Sequence, residues 1–388
     1  MQRIPVTERP NLSALAVEHE FEYTPSEGIS GWDESAYYQF SQDQIENDIV
    51  KPAEDLEELC FQVVERAMGN EEVLVRLGIP EYFWLYIADS WRNGDKNLCG
   101  RMDLSYNGQG PAKLLEYNAD TPTTLYESAI MQWQWLEQAV DLEFIPDNVD
   151  QLNEIHERIV DILPLFNIDG VAHFACNHDF EDDKGTLGYL EECAKEAGLK
   201  TRALTMADIG INEQGRFTDL DDQIITTLAK LYPWEWIMAE EFGKYVPESD
   251  VQFIEPPWKA ILSNKGLLPL LWGMFENHPN LLPAFFEDDP AAVDFANAGT
   301  FVRKPMLSRQ GANIQIVKEG QTIFQSDGPY GDSACILQGL QPLPNFMDRH
   351  PLLGCWMVAS KAVGICIRED KSLVTGTTAN FVPHVILG

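Results

Sequence analysis

Basic side chains are scarce in this chain. Of its 388 residues, 27 are Lys or Arg against 62 Asp or Glu, a formal net charge of −35. A surface of that sign repels phosphodiester backbones and anionic headgroups, so nucleic acid and acidic membranes are excluded as partners. Long apolar runs are missing too: the strongest, residues 266–275, is about half the roughly twenty residues needed to cross a bilayer and holds a proline. The N-terminus has no apolar signal core and no small-residue cleavage site. The seven cysteines are odd in number, form no Cys-x-x-Cys pair, and sit in apolar surroundings such as those of Cys60, Cys176, Cys355 and Cys366. That is the usage of a reducing compartment, and a cytoplasmic location is expected. The seven histidines are dispersed, which leaves a zinc centre without support. Internal repeats and low-complexity segments are absent.

What the chain has is apolar mass: ten Trp and 45% hydrophobic residues, enough for a large core in one elaborated domain or several. The acidic excess either draws in cationic substrates such as polyamines or simply solvates the surface. Residues 41–95 show helical periodicity, with Ile45, Ile49, Leu56, Leu59, Cys60, Val63, Val64 and Met68 on one face. A further helix is expected over 125–142, with Trp133, Leu136 and Val140 directed to the core. From 151 the pattern becomes helix (155–165), apolar strand (170–176), helix (186–197) and strand (202–205), a βαβ unit with a parallel sheet and ligand loops at the strand C-termini. The loop after Cys176 holds Glu181, Asp182 and Asp183, which suit an amine or merely decorate a helix start.

Residues 101–125 concentrate the chemistry. An alternating run around Asp103 and a second extended run, 113–118, flank a Gly/Asn/Pro turn, so two paired strands are expected. Glu116 and Asn118, two apart, face the same side, where a cross-strand Asp103 could join them as oxygen ligands for Mg²⁺ with Arg101 alongside as an anion clamp. The plainer alternative is an acidic, solvated hairpin. Lys265, in Ser263-Asn-Lys265 ahead of an apolar helix, is either aimed at a ligand or on the surface. Residues 301–317 read as strand, small-residue loop (308–313) and strand, with Lys304 on the first. Such a loop can cover phosphates with backbone N–H groups, although an ordinary hairpin turning at Gly311 has the same pattern. It enters no helix, so it is neither a P-loop nor a dinucleotide fingerprint. A C-terminal hairpin about 359–361 presents Arg368 at a strand end, suited to phosphoryl charge.

Five motifs in order, Arg101-x-Asp103, Glu116-Tyr-Asn118-Ala-Asp, Ser263-Asn-Lys265, Val302-Arg-Lys304-Pro with Ser308-Arg-Gln-Gly311-Ala-Asn, and Ile367-Arg368-Glu, resemble the glutathionylspermidine synthase family, in particular its stand-alone bacterial synthetase-like members. The resemblance runs through the whole chain. It implies an α/β (α+β) ATP-grasp fold with a βαβ substrate-side (pre-ATP-grasp-like) subdomain, and an ATP- and Mg²⁺-dependent carboxylate–amine ligase working through an acyl phosphate. It also implies roles: Asp103, Glu116 and Asn118 for Mg²⁺; Lys265 and Lys304 on the ATP phosphates; Gln310, Gly311 and Ala312 as lid; Arg101 and Arg368 bracketing the transferring phosphoryl group; Thr121 and Thr123, with Glu181 and Asp182, for the acid and amine; and Gln338, expected just after a short strand, for the adenine hinge. The expected division is a helical region at 1–95, the hairpin and a helix at 96–150, the βαβ subdomain at 151–255, and the nucleotide-binding and lid region at 256–388. Small-molecule carboxylates and amines are the implied partners. Thr at 121 and 123 in place of Ser, and Trp236 where the bifunctional members carry a small hydroxyl, leave glutathione and spermidine open as substrates. The family's Cys/His amidase domain is not in this sequence, so amide hydrolysis is not expected. The alternative is an ATP-binding scaffold of the same fold without catalysis. A carbohydrate-active reading based on acidic pairs and Trp platforms leaves Lys265, Lys304 and the 308–313 loop unexplained.

Overall fold

The computed structural model describes residues 1–10 and 31–387, with the side chains of Glu181 and Asp182 outside the described set. The expected hairpin exists: Cys99–Ser105 pairs antiparallel with Lys113–Asn118. Every residue of the first strand is buried, because its other edge is taken by His350–Val358, which pairs in turn with Lys361–Asp370 and then Asn380–Val382. This five-stranded sheet joins chain segments more than 200 residues apart and sets Arg101 opposite Trp356 and Leu352 opposite Arg368. The helix Lys51–Ala67 buries Ala53, Leu56, Cys60, Val63, Val64 and Ala67 along one face. It packs on the Lys361–Asp370 strand and on the helix Leu267–Met274. Among the described residues no helix is long and apolar enough to cross a membrane.

Three larger sheets frame this one, besides a two-stranded pair of Gly210–Ile211 with Phe217–Thr218. The parallel sheet, in the order Gln252–Ile254, Thr227–Leu231, Val171–Cys176, Lys200–Thr205, is the expected βαβ unit extended by two strands. Its helix runs from Glu181 to Glu196, starting five residues before the expected 186, so Glu181 and Asp182 belong to a helical first turn and not to the loop. Gly185 suggests loop, at a cost of about 1 kcal/mol in a helix, but burial of Asp183, Thr186, Leu187 and Leu190 along that face prevails. An antiparallel sheet, in the order Ala284–Phe286, Cys335–Gly339, Phe301–Pro305, Gln315–Lys318, Gln321–Gln325, carries the flap. The last sheet joins Gln2–Pro5, Ala36–Ser41, His384–Leu387 and Val149–Asp150.

The helix expected over 125–142 corrects one core assignment. Trp133 is 40% exposed, and Trp135, with Leu136 and Ala139, is buried in its place. A π-helical turn, Glu127–Met131, precedes the α-helix Gln132–Asp141. Its wider turns rotate the buried face away from a simple three-four repeat.

Candidate active site

Side chains alternate along the hairpin, so Tyr117 points away from Glu116 and Asn118. On the rear face its hydroxyl donates to Glu57 Oε2 at 2.7 Å. Gly100, diagonally across the strand pair, leaves room for the Tyr117 ring, because a Cβ there would lie 2.8 Å from it. With the hairpin anchored behind, the front face is set by register: Arg101 opposite Asn118 and Asp103 opposite Glu116. Asp103, 1% exposed, accepts from Arg101 Nε at 2.7 Å on Oδ1. Its Oδ2 accepts from Arg101 Nη2 at 3.2 Å, Arg368 Nη2 at 2.8 Å and Asn118 Nδ2 at 3.2 Å. Glu116 lies 3.2 Å from Lys265 Nζ, and Lys265 also donates to the Ser308 carbonyl at 2.6 Å, where the flap begins. The plain surface readings of Lys265 and of the acidic hairpin are thereby set aside.

Lys304 comes in from the flap sheet. Its Nζ donates to the Leu115 carbonyl at 3.0 Å and to Gln338 Oε1 at 2.7 Å, while Gln338 Nε2 donates to the Leu114 carbonyl at 3.1 Å. Gln338 therefore lies within the strand Cys335–Gly339, not after it, and both ends of its amide are engaged. Burial opposes the charged form of Glu116, but the ammoniums of Lys265 and Lys304 override it and hold this carboxyl down at about 2. Burial pushes Lys304 down to about 8, against the pull of Glu116.

Arg101, Asp103, Glu116, Asn118, Lys265, Lys304, Gln338 and Arg368 line one cleft of about 1150 Å³, together with Thr121, Thr123, Gln310, Gly311 and Ala312. Gln310 and Gly311 have φ of 52° and 69°, and a Cβ on Gly311 would lie 2.9 Å from the Thr375 carbonyl oxygen. The flap thus meets a second loop, residues 371–378, which also lines the cleft. Apolar Val302, Ile316 and Leu352 and the segment 339–343 form the wall beyond Lys304. The opposite end is closed by Asp183, Phe180, Glu235 and Trp236. The flap reaches across to this end: the Arg309 guanidinium lies 5.5 Å from the Trp236 ring centroid and 3.9 Å from Asp183 Oδ1. Sequence reasoning assigned no role to Glu235, Phe180 or the 339–343 wall, since isolated acidic and apolar residues carry no spacing signal. Glu181 and Asp182 sit on the helix that borders this end, but their side chains lie outside the described residues.

Among the described residues there is no group of three or more His, Cys, Asp or Glu suited to a metal. The expected set is two carboxylates and an amide, and these do converge, Asn118 Nδ2 lying 3.2 Å from Asp103 and 3.5 Å from Glu116. Which end of an amide faces its neighbours follows from those neighbours. With a cation between the carboxylates, a half-turn of the Asn118 amide presents a third hard oxygen, so the donor set fits Mg²⁺.

A deep cleft beside a flap-bearing antiparallel sheet, with lysines on both walls and a parallel βαβ unit alongside, defines an ATP-grasp protein. The family model described as glutathionylspermidine synthase preATP-grasp matches residues 3–387, and the chain belongs to that family. A Haemophilus influenzae protein named "Putative acid--amine ligase" is 36% identical over 97% of each chain. The trypanothione synthetase of Crithidia fasciculata is 28% identical over 84% of this chain and 53% of its own length. The bifunctional glutathionylspermidine synthetase/amidase of Escherichia coli is 24% identical over 90% of this chain and 59% of its own. The chain spans little more than half the length of these last two. A solved glutathione synthetase-like effector from Globodera pallida shares the fold, with a TM-score of 0.53 at 12% identity over 90% of this chain and 89% of that one.

Proposed function

We propose that this protein is an ATP- and Mg²⁺-dependent ligase that joins a carboxylate to an amine through an acyl phosphate. The observation that carries this reading is the charge of the part of the cleft around Asp103 and Glu116. In a chain of net charge −35, Arg101, Arg368, Lys265 and Lys304 converge on only two carboxylates, Asp103 and Glu116. That leaves a local positive excess suited to a polyphosphate. Lys265 and Lys304 are placed to hold the phosphates, and the backbone N–H groups of Gln310, Gly311 and Ala312 to cover them. The apolar wall of Val302, Ile316 and Leu352, with the backbone following Gln338, suits adenine. Asp103, Glu116 and Asn118 would hold Mg²⁺, which would neutralise phosphate charge there. Arg101 and Arg368 bracket the phosphoryl group as the carboxylate oxygen attacks it and ADP leaves. The amine then attacks the acyl carbon and phosphate leaves. Positioning and charge neutralisation supply most of the rate in such transfers.

The relatives' names point to a peptide acid and a polyamine. Thr121 and Thr123, with Glu181 and Asp182, are the proposed contacts to the acid and the amine. The test is ADP release from MgATP with a panel of carboxylates, glutathione and γ-glutamyl peptides first, each paired with alkylamines and spermidine. Mass spectrometry should find a product lighter by one water than the paired reactants. ADP release no faster than in carboxylate-free controls for every pair overturns the proposal. Arg368→Ala should keep ATP binding and lose turnover; a non-catalytic scaffold would have no turnover to lose.

A further inference from the structure

An amine that is protonated in water must lose a proton before its nitrogen can attack a carbonyl, and the cations around Asp103 have the wrong charge to take it. Glu235 stands on the cleft wall at the other end, in the first turn of the helix Trp234–Ala239. Its side chain makes no hydrogen bond or ion pair to another described residue. The turn that carries it is fixed by Asp120, whose Oδ2 accepts the Trp234 N–H at 2.8 Å and whose Oδ1 accepts from Lys230 Nζ at 2.6 Å. Asp120 follows Asn118 by two residues and immediately precedes Thr121, so one buried carboxylate registers Glu235 against the strand that carries Glu116. Among the described residues, the charged and titratable groups around Glu235 include Asp120, Lys230 beneath the turn, Arg309 of the flap and Tyr330, with Asp183 at the same end of the cleft. Burial, and after it the Asp120 charge, raise the Glu235 carboxyl above its ordinary range, which makes it a stronger base.

We propose, resting on the ligase reading above, that Glu235 is the base that activates the amine. An N–H bond of the ammonium breaks as an O–H bond forms on the Glu235 carboxylate. The freed nitrogen lone pair makes the C–N bond, the C–O bond to phosphate breaks, and the nitrogen's second proton departs with the phosphate. Glu235 then returns its proton to solvent.

The experiment compares the full chain with Glu235→Gln and Glu235→Asp, with MgATP and the glutathione-led carboxylate panel, using an alkylamine or hydroxylamine as nucleophile. Hydroxylamine is already neutral at assay pH and needs no base. Glu235→Gln should lower amide formation roughly 100-fold or more, spare hydroxamate formation, and remove the acidic limb of the amine-dependent kcat/KM profile, with Glu235→Asp restoring part of the rate. A Gln variant that retains the amine reaction, or that loses both reactions equally, overturns the assignment. Wild type that makes neither amide nor hydroxamate overturns the ligase reading itself, and the base with it.

Discussion

His384 shows how a buried residue can be committed to one protonation state. It is fully buried; Nδ1 donates to Gln132 Oε1 at 2.9 Å and Nε2 accepts the Leu152 N–H at 3.3 Å. A second ring proton would meet the Leu152 N–H head on, and burial pushes the imidazole down to about 3. In the unfolded chain a histidine titrates near 6.5. Between these values the unfolded state binds more protons, so stability is complete above about 6.5 and is lost as pH falls towards 3. At pH 5 the loss is about 2 kcal/mol. His384→Gln should therefore flatten the acid limb in urea unfolding measured from pH 7 to pH 4.5; an unchanged slope refutes the assignment. The sequence gives no sign of His384's state, because Gln132 and Leu152 are remote along the chain. The residues of the cleft were legible where chemistry recurs at fixed spacing, as with Arg101, Asp103, Glu116 and Asn118. Lys304 was legible as a strand lysine, but its hold on Gln338 was not, since it depends on the register between Phe301–Pro305 and Cys335–Gly339.

At the scale of elements, alternation and turn residues located all three expected hairpins, because a strand pair declares itself locally. The π turn ahead of Gln132 and the early start of the Glu181–Glu196 helix were hidden, since each is decided by what the element packs against. The meeting of the flap with the loop 371–378 was equally hidden: it joins segments about 65 residues apart through a backbone contact that no side-chain pattern reports. It has a direct test in Gly311→Ala. At φ of 69° the added methyl costs about 1 kcal/mol or slightly more, and it also collides with the Thr375 carbonyl, so the two loops cannot close together. The expected result is a raised KM for ATP and a turnover roughly ten times lower, the size of a barrier change near 1.4 kcal/mol, with the thermal midpoint nearly unchanged. Wild-type ATP kinetics in this variant would show that the loops need not meet during turnover.

The whole molecule combines an acidic envelope with a cleft that is locally cationic around Asp103 and is lined at its other end by Asp183 and Glu235. These features predict salt effects of opposite sign. Self-repulsion in a chain of net charge −35 opposes the compact state, and it is screened when the Debye length shrinks from about 30 Å at 0.01 M to about 10 Å at 0.1 M. The unfolding temperature should therefore rise across that range. The same screening removes the long-range attraction that draws a cationic amine to the acidic envelope, so kcat/KM for a polyamine should fall. For hydroxylamine, which carries no charge for the field to act on, kcat/KM should hardly move. Calorimetry and initial rates over one salt series check both trends. A fall in stability with salt would mean that attractive ion pairs outweigh the net repulsion, and equal salt dependence for charged and neutral nucleophiles would rule out electrostatic steering of the amine.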